Sequence, residues 1–166
     1  MIILRKLDHK KDVGQKYLGW MNDKKVHKYT QQCNKTHSIK KIKDFVIRVN
    51  RSKNEFLYGI FLKKKNNHIG NIKIGPINNI HKTAYISYFI GQKNQWGKGY
   101  AAKAIKLSIL EAKKKKIKKL KAKTYKINKG SISVLKKNNF KIEGLLKKEI
   151  KFKNKRIDEY IFGKII

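Results

Sequence analysis

Gln92-Lys93-Asn94-Gln95-Trp96-Gly97-Lys98-Gly99-Tyr100-Ala101-Ala102 is the stretch that decides how this chain is read. Upstream of it, residues 83–91 are rich in β-branched and aromatic side chains and read as a strand. Downstream, Ala104, Ile105, Leu107, Ile109 and Leu110 recur at helical spacing in a run that extends to residue 115. A loop with two glycines between a strand and a helix lets the backbone approach a ligand closely and aims several N–H groups at one point. The helix dipole adds positive potential there. The loop lacks the Gly-Lys-Ser/Thr of a P-loop and the G-x-G-x-x-G spacing of dinucleotide folds. A phosphate-binding loop of another kind is expected.

On the N-terminal side, residues 2–7 read as a strand and residues 12–23 as a helix with Val13, Tyr17 and Trp20 on one face. Ser38 is placed to cap a second helix, in which Ile39, Ile42, Phe45, Val46 and Val49 form an apolar stripe through Arg51. Residues 55–62 and 68–74 read as a hairpin whose second arm is ended by Gly75-Pro76. On the C-terminal side, residues 120–127 form a strand, and Asn128-Lys129-Gly130-Ser131 is a turn feeding a short helix closed by Asn138-Asn139. Residues 140–152 and 156–165 are strands meeting at Lys153-Asn154-Lys155. The expected fold class is α+β: one domain over residues 1–166, with a mixed, mostly antiparallel sheet of about seven strands and about four helices.

The 166 residues include 44 Lys and Arg against 10 Asp and Glu, a formal charge of +34. With 40% apolar residues the chain can bury a core, which excludes an extended disordered tail. Charge alone admits a basic nucleic-acid-binding module without catalysis. Against that, Arg5, Arg48, Arg51 and Arg156 are the only arginines, whereas groove readers favour arginine's fork. Abundant Ile and Asn beside a single Pro fit an AT-rich coding bias that substitutes Lys for Arg, so no specific nucleic-acid partner is expected. Cys33 is the only cysteine, which excludes an internal disulfide and a cysteine-rich metal site; no metal is expected. No apolar run reaches membrane-spanning length, and the start lacks a secretion signal, so no membrane span and a cytoplasmic location are expected.

Trp96-Gly97-Lys98-Gly99-Tyr100-Ala101 resembles the pyrophosphate motif Gln/Arg-x-x-Gly-x-Gly/Ala of the GNAT superfamily of acyl-CoA-dependent N-acyltransferases. Gly99 and Ala101 stand in its small positions. Trp96 departs at the first position in the manner of the RimJ/RimL-like branch, which often has an aromatic there. Asn128-x-x-Ser131 and Asn139-Phe140 resemble that family's late Asn-x-x-Ser and Gly-Phe signals, so the resemblance spans the chain. It implies a sheet splayed at an acyl-CoA site and direct transfer of acetyl from acetyl-CoA to an amine. Phe89, Ile90 and Gly91 would pair with the pantetheine arm, an N–H near Ile90 would stabilise the oxyanion, and Gly97 to Ala102 would hold the pyrophosphate with Lys98 as counter-charge. Asn128 and Ser131 fall where family members contact the cofactor arm or thiol.

The resemblance implies a proton donor for the departing thiolate. Many members use a tyrosine in the short late helix; Leu135 stands there, so Ser131 is the candidate, with a helix cap as its competing role. For the base, His81 and Glu149 are the candidates, the first for its intrinsic pKa and the second for its place on a late strand. Tyr88 and Tyr125 are read as core or substrate-contacting residues. Residues 68–78 with His81 are similar to acetyltransferases of amino sugars in surface-polysaccharide pathways of the pseudaminic acid type. A sugar-nucleotide acceptor near Lys73 and Lys82 is therefore expected, with the α-amine of a ribosomal protein as the rival. A homodimer is compatible with this reading.

Overall fold

The computed structural model describes residues 1–166, apart from the side chain of Lys65. Seven strands form one sheet: β1 (Ile2–Lys6), β2 (Phe56–Leu62), β3 (Asn67–Asn78), β4 (Thr83–Ile90), β5 (Lys119–Tyr125), β6 (Lys141–Phe152) and β7 (Lys155–Ile165). Four helices join them: α1 (Gln15–Met21), α2 (Ile39–Arg51), α3 (Tyr100–Lys114) and α4 (Lys129–Lys137). The spatial order is β1-β2-β3-β4-β5-β7-β6, antiparallel throughout except for the parallel pair β4–β5. The expected mixed, mostly antiparallel α+β sheet is the observed one.

Alternation along the strands sorts the core into two layers. Ile72, Ile74, Ala84, Ile86, Leu120, Ala122 and Phe162 face Ala104, Ile105 and Ala112 of α3 and Leu135 of α4. On the opposite face, Leu57 and Phe61 meet Tyr17 and Trp20 of α1 and Ile42, Val46 and Val49 of α2. α2 begins as its sequence indicates: the Ser38 hydroxyl accepts the Lys41 N–H (3.2 Å), and Arg48 and Arg51 complement the dipole at its other end.

Three expected boundaries are corrected. α1 starts at Gln15 rather than at residue 12, because the Asp12 carboxylate is held by Arg5 (2.8 Å) and by the Asp8 N–H (2.7 Å), and extended Gly14 intervenes. Gly75-Pro76 does not end β3. A register shift between Ile74 and Ile77, with Gly75 at φ +122°, absorbs the proline and the strand continues to Asn78. Residues 129–131 are not a turn before α4 but its first turn, because the Asn128 side chain caps the helix by accepting the Ser131 N–H (3.1 Å).

Candidate active site

The parallel pair β4–β5 is joined only at Thr83–Lys119, Ala84–Leu120 and Tyr85–Lys121. Beyond these, β4 runs on to Ile90 and β5 to Tyr125 without pairing, which opens a wedge in the middle of the sheet. The Gly91 N–H donates to the Ile69 carbonyl (2.8 Å) in register with the β3–β4 ladder. Because bonded and non-bonded pairs alternate, Phe89 pairs with Asn71, while Tyr88 and Ile90 turn their N–H and C=O groups into the wedge. Of the three residues expected to offer free backbone, Ile90 therefore does so at its N–H, and Tyr88 joins it. Phe89 and Gly91 face β3. Gly91 answers a different need: a Cβ there would collide with the Trp20 indole.

Residues 91–99 lead from the wedge to α3. The Trp96 indole N–H donates to the Ile90 carbonyl (2.7 Å), tying the loop back onto the end of β4. Gly97 and Gly99 both adopt left-handed backbone (φ +75° and +76°), which a side chain would strain, and a Cβ on either would meet nothing within 4 Å. The loop is thus bent for its own shape and open on its outer surface. α3 has no side-chain cap, and its first bond within the helix is Lys103 N–H to the Gly99 carbonyl (3.1 Å). The N–H groups of Tyr100, Ala101 and Ala102 are left for an external acceptor. No acidic residue stands in that first turn. Lys98 lies alongside, its Nζ near Gln95 Oε1 (3.4 Å). Glycines without neighbours, unmatched N–H groups and a cationic flank together fit a pyrophosphate.

Across the wedge, α4 brings up Ser131. Asn128 does the capping, so the Ser131 side chain is released from that role, and its Oγ lies 3.0 Å from the Tyr88 hydroxyl. Burial raises the Tyr88 pKa to about 12, only partly offset by the Ser131 hydrogen bond, so this hydroxyl keeps its proton. Leu135 is fully buried and belongs to the core. Tyr88, read as core or substrate contact, is the residue whose role the sequence left unassigned; an inward-facing tyrosine on the splayed half of β4 was its only signal.

The other face of the wedge is aromatic. Phe89 packs against Tyr17, Trp20 and His27 (ring centroids 6.4, 6.5 and 5.0 Å). His27 is 3% exposed and lies in the segment between α1 and α2. Its Nδ1 lies 3.2 Å from Thr30 Oγ1, and its Nε2 has no partner among the described residues. Burial lowers its pKa to about 4. The same segment stacks Tyr29 on Phe152 of the β6–β7 hairpin (5.8 Å), and Phe152 meets Tyr125 edge-on (6.3 Å). A pocket of about 380 Å³ lies on this side, lined among others by Asp23, Lys24, His27, Cys33 and Lys35.

His81 and Glu149 are not brought to this place by the same route. His81 is exposed in the β3–β4 turn, its N–H donating to Asn78 Oδ1 (2.9 Å). That turn is at the Thr83 end of β4, the closed end, and Thr83 is roughly 23 Å along the strand from Ile90 at ordinary strand rise. Glu149 is exposed on edge strand β6, in the irregular stretch between Leu146 and Ile150. Lys73 is bound to Glu55 (2.6 Å), and Lys82 lies beside His81 at the closed end of the sheet. Among the described residues, no three His, Cys, Asp or Glu side chains gather as a metal site, and no helix is long and apolar enough to cross a membrane.

A seven-stranded sheet that splits beside a glycine-bent anion loop defines a class: the acyl-CoA-dependent acyltransferases. A family model described as an acetyltransferase (GNAT) domain matches residues 1–141, and the chain belongs to this family. It is an N-acetyltransferase with acetyl-CoA as donor. Solved structures agree in fold. The microcin C7 self immunity acetyltransferase in complex with acetyl-CoA and AMP is 25% identical (TM-score 0.84, covering 99% of this chain and 92% of that one). The Salmonella typhimurium enzyme that modifies the N-terminal serine of ribosomal protein L7/L12 is 21% identical (TM-score 0.82, 99% and 95%). Spermidine N-acetyltransferase from Vibrio cholerae with CoA and spermine is 18% identical (TM-score 0.87, 99% and 95%). No curated protein sequence matches the chain.

Proposed function

We propose that the acetyl group goes to the primary amine of an anionic acceptor, a nucleotide-linked amino sugar. The observation that carries this reading is the lysine content of the aromatic side of the wedge. Lys24 and Lys35 line the pocket formed within the neighbouring α1–α2 segment, Lys28 lies over Tyr29 (5.0 Å), and Lys151, Lys153 and Lys155 surround the hairpin tip that bears Phe152. These replace Lys73 and Lys82 as the electrostatic ground for the assignment. In a chain of net charge +34, a basic ribosomal terminus or a polyamine meets repulsion that a diphosphate does not. The immunity acetyltransferase structure, whose complex holds AMP, is in keeping with an acceptor that carries a nucleotide.

In this mechanism Gly97 to Ala102 and Lys98 bind the pyrophosphate, and the backbone of Tyr88 orients the arm. The bound donor supplies acetyl as a thioester. The Ile90 N–H stabilises negative charge on the acetyl oxygen as the acceptor nitrogen bonds to the acetyl carbon and the C–S bond breaks. Ser131, held by the Tyr88 hydroxyl and the Asn128 cap, gives its proton to the leaving sulfur and recovers one from the new amide nitrogen. Trp96 secures the loop.

The test is thiol release from acetyl-CoA with UDP-amino sugars, ribosomal N-terminal peptides and spermidine offered in parallel. Turnover of the sugar nucleotides is expected; turnover of peptides or polyamine alone rejects the acceptor assignment. Gly99→Arg should abolish the rise in Tm that acetyl-CoA gives the wild type, because it strains the left-handed turn and blocks the open loop.

A further inference from the structure

Among the described acidic residues Glu159 is the most buried, at 7% exposure, although its side chain is no more enclosed than that of Asp12. The others are exposed or well matched: Asp12, Asp23, Glu55, Glu111, Glu143 and Asp158 all have a cation within 2.6–3.1 Å. Glu159 has only Lys123, at 3.5 Å, and its carboxylate makes no hydrogen bond among the described residues. Neither of its oxygens is among the fully enclosed polar atoms, so the carboxylate opens toward solvent while lacking a close cation. Its position gives the reason for keeping it.

Glu159 lies directly across the β5–β7 ladder from Tyr125, the last residue of β5 and so the rim of the wedge. The Tyr125 carbonyl accepts the Asn128 N–H (2.8 Å), so the turn that delivers Ser131 also fixes Tyr125. Tyr125 alternates with Lys119, Lys121 and Lys123 on the face of β5 turned away from α3 and α4. Glu159 is therefore on the opposite side of the sheet from Ser131 and its Tyr88 partner, in company with Tyr29, Tyr125 and Phe152. Burial, then the nearby Glu159 charge and Cys33, raise the Tyr125 pKa, which keeps its hydroxyl protonated beside the carboxylate. Three aromatic rings and one carboxylate suit a primary ammonium group, and in a protein of net charge +34 such a group needs a local anion to be drawn in.

We infer that Glu159 receives the acceptor's ammonium group and takes its first proton. The inference rests on the acetyltransferase reading but not on the acceptor being a sugar. One ammonium proton goes to the Glu159 carboxylate and then to solvent, the freed lone pair forms the C–N bond, and the second proton leaves through Ser131 to the sulfur as the C–S bond breaks. Base and acid stand on opposite faces of the wedge, so the amine enters from one side while the thiol departs toward the other.

The experiment compares wild type, Glu159→Gln, Glu159→Asp and Lys123→Met on the fastest acceptor of the panel described above. Glu159→Gln is expected to lower kcat/KM for the acceptor by about 100-fold or more, to leave KM for acetyl-CoA within about twofold, and to leave Tm equal or higher. Glu159→Asp should recover part of the activity. An acceptor kcat/KM within about threefold of wild type overturns the inference. So does a lower Tm in Glu159→Gln that Lys123→Met reproduces, an outcome that makes the carboxylate a structural ion-pair partner and requires no acceptor at all. If only peptides or polyamines turn over, the sugar assignment fails while Glu159 is judged on the amine that reacts.

Discussion

β3 and β6 are both 12 residues long, yet β3 buries nearly every side chain from His68 to Gly75 while β6 buries none fully. β3 lies in mid-sheet between α3 on one face and the α1–α2 layer on the other, so both its faces must be apolar. β6 is an edge, and Lys141, Lys147, Lys148 and Lys151 stud it with charge that discourages pairing with another chain. Between them the sheet changes character at the β4–β5 wedge. The half before it is sealed on both faces; the half after it has helices on one face and, on the other, only the aromatic contacts of the α1–α2 segment and the hairpin tip. The site forms where the cover stops, because a ligand can enter a sheet only where neither helices nor ladder bonds occupy it.

The contrast can be broken first by truncating one aromatic on each side. Phe61→Ala, in the sealed half at 1% exposure, should cost about 3–5 kcal/mol of stability in urea titrations. Phe152→Ala, half-buried beside the rings of Tyr29 and Tyr125, should cost roughly 1 kcal/mol and act instead on acceptor KM. Equal destabilisation would mean that the hairpin face is core after all.

Acid should probe the same boundary. His27 keeps a folded pKa of about 4 against an ordinary 6.5, so as pH falls through that interval the unfolded chain takes up a proton that the fold refuses. Stability should be complete above the ordinary value and fall by about 3 kcal/mol on acidification toward the folded one. Urea midpoints measured at descending pH check this, and His27→Gln should flatten the slope. A wild-type midpoint unchanged between neutral and mildly acid pH would show that His27 is solvated.

The smallest effect sharpens the wedge itself. Ser131→Ala should reduce kcat by about 10- to 100-fold with acetyl-CoA binding intact, and Tyr88→Phe by less, since it removes only the hydroxyl that orients Ser131. Full activity in Ser131→Ala would leave the thiolate without the donor assigned to it.

Much of this architecture was legible because it is written locally. The Gly97/Gly99 loop, the Ser38 cap, the helical stripe of α2 and the Asn128–Ser131 spacing are relations within a few residues, where glycine conformation and side-chain capping act directly. Even the errors there were local competitions, such as Arg5 and Asp8 holding Asp12 out of α1, or a bulge carrying β3 past Pro76. Glu159 is not distinguished by sequence for another reason: it is one acid beside Asp158, and only ladder register separates the half-buried, well-paired residue from the buried, poorly paired one. The intrinsic pKa of His81 and the late-strand position of Glu149 say nothing about which end of a strand lies at the wedge.

The sequence by itself determined the order of elements and the anion loop, because backbone conformation, periodicity and capping are short-range properties; the donor followed from the family resemblance those motifs carry. Only the tertiary structure decided which residues meet across the split sheet: Tyr88 with Ser131 on one face, and Tyr125, Glu159, Phe152 and Tyr29 on the other. Those partners come from β4, α4, β5, β6, β7 and the α1–α2 segment, and their meeting depends on strand register and on where β4 and β5 part, which no local pattern encodes.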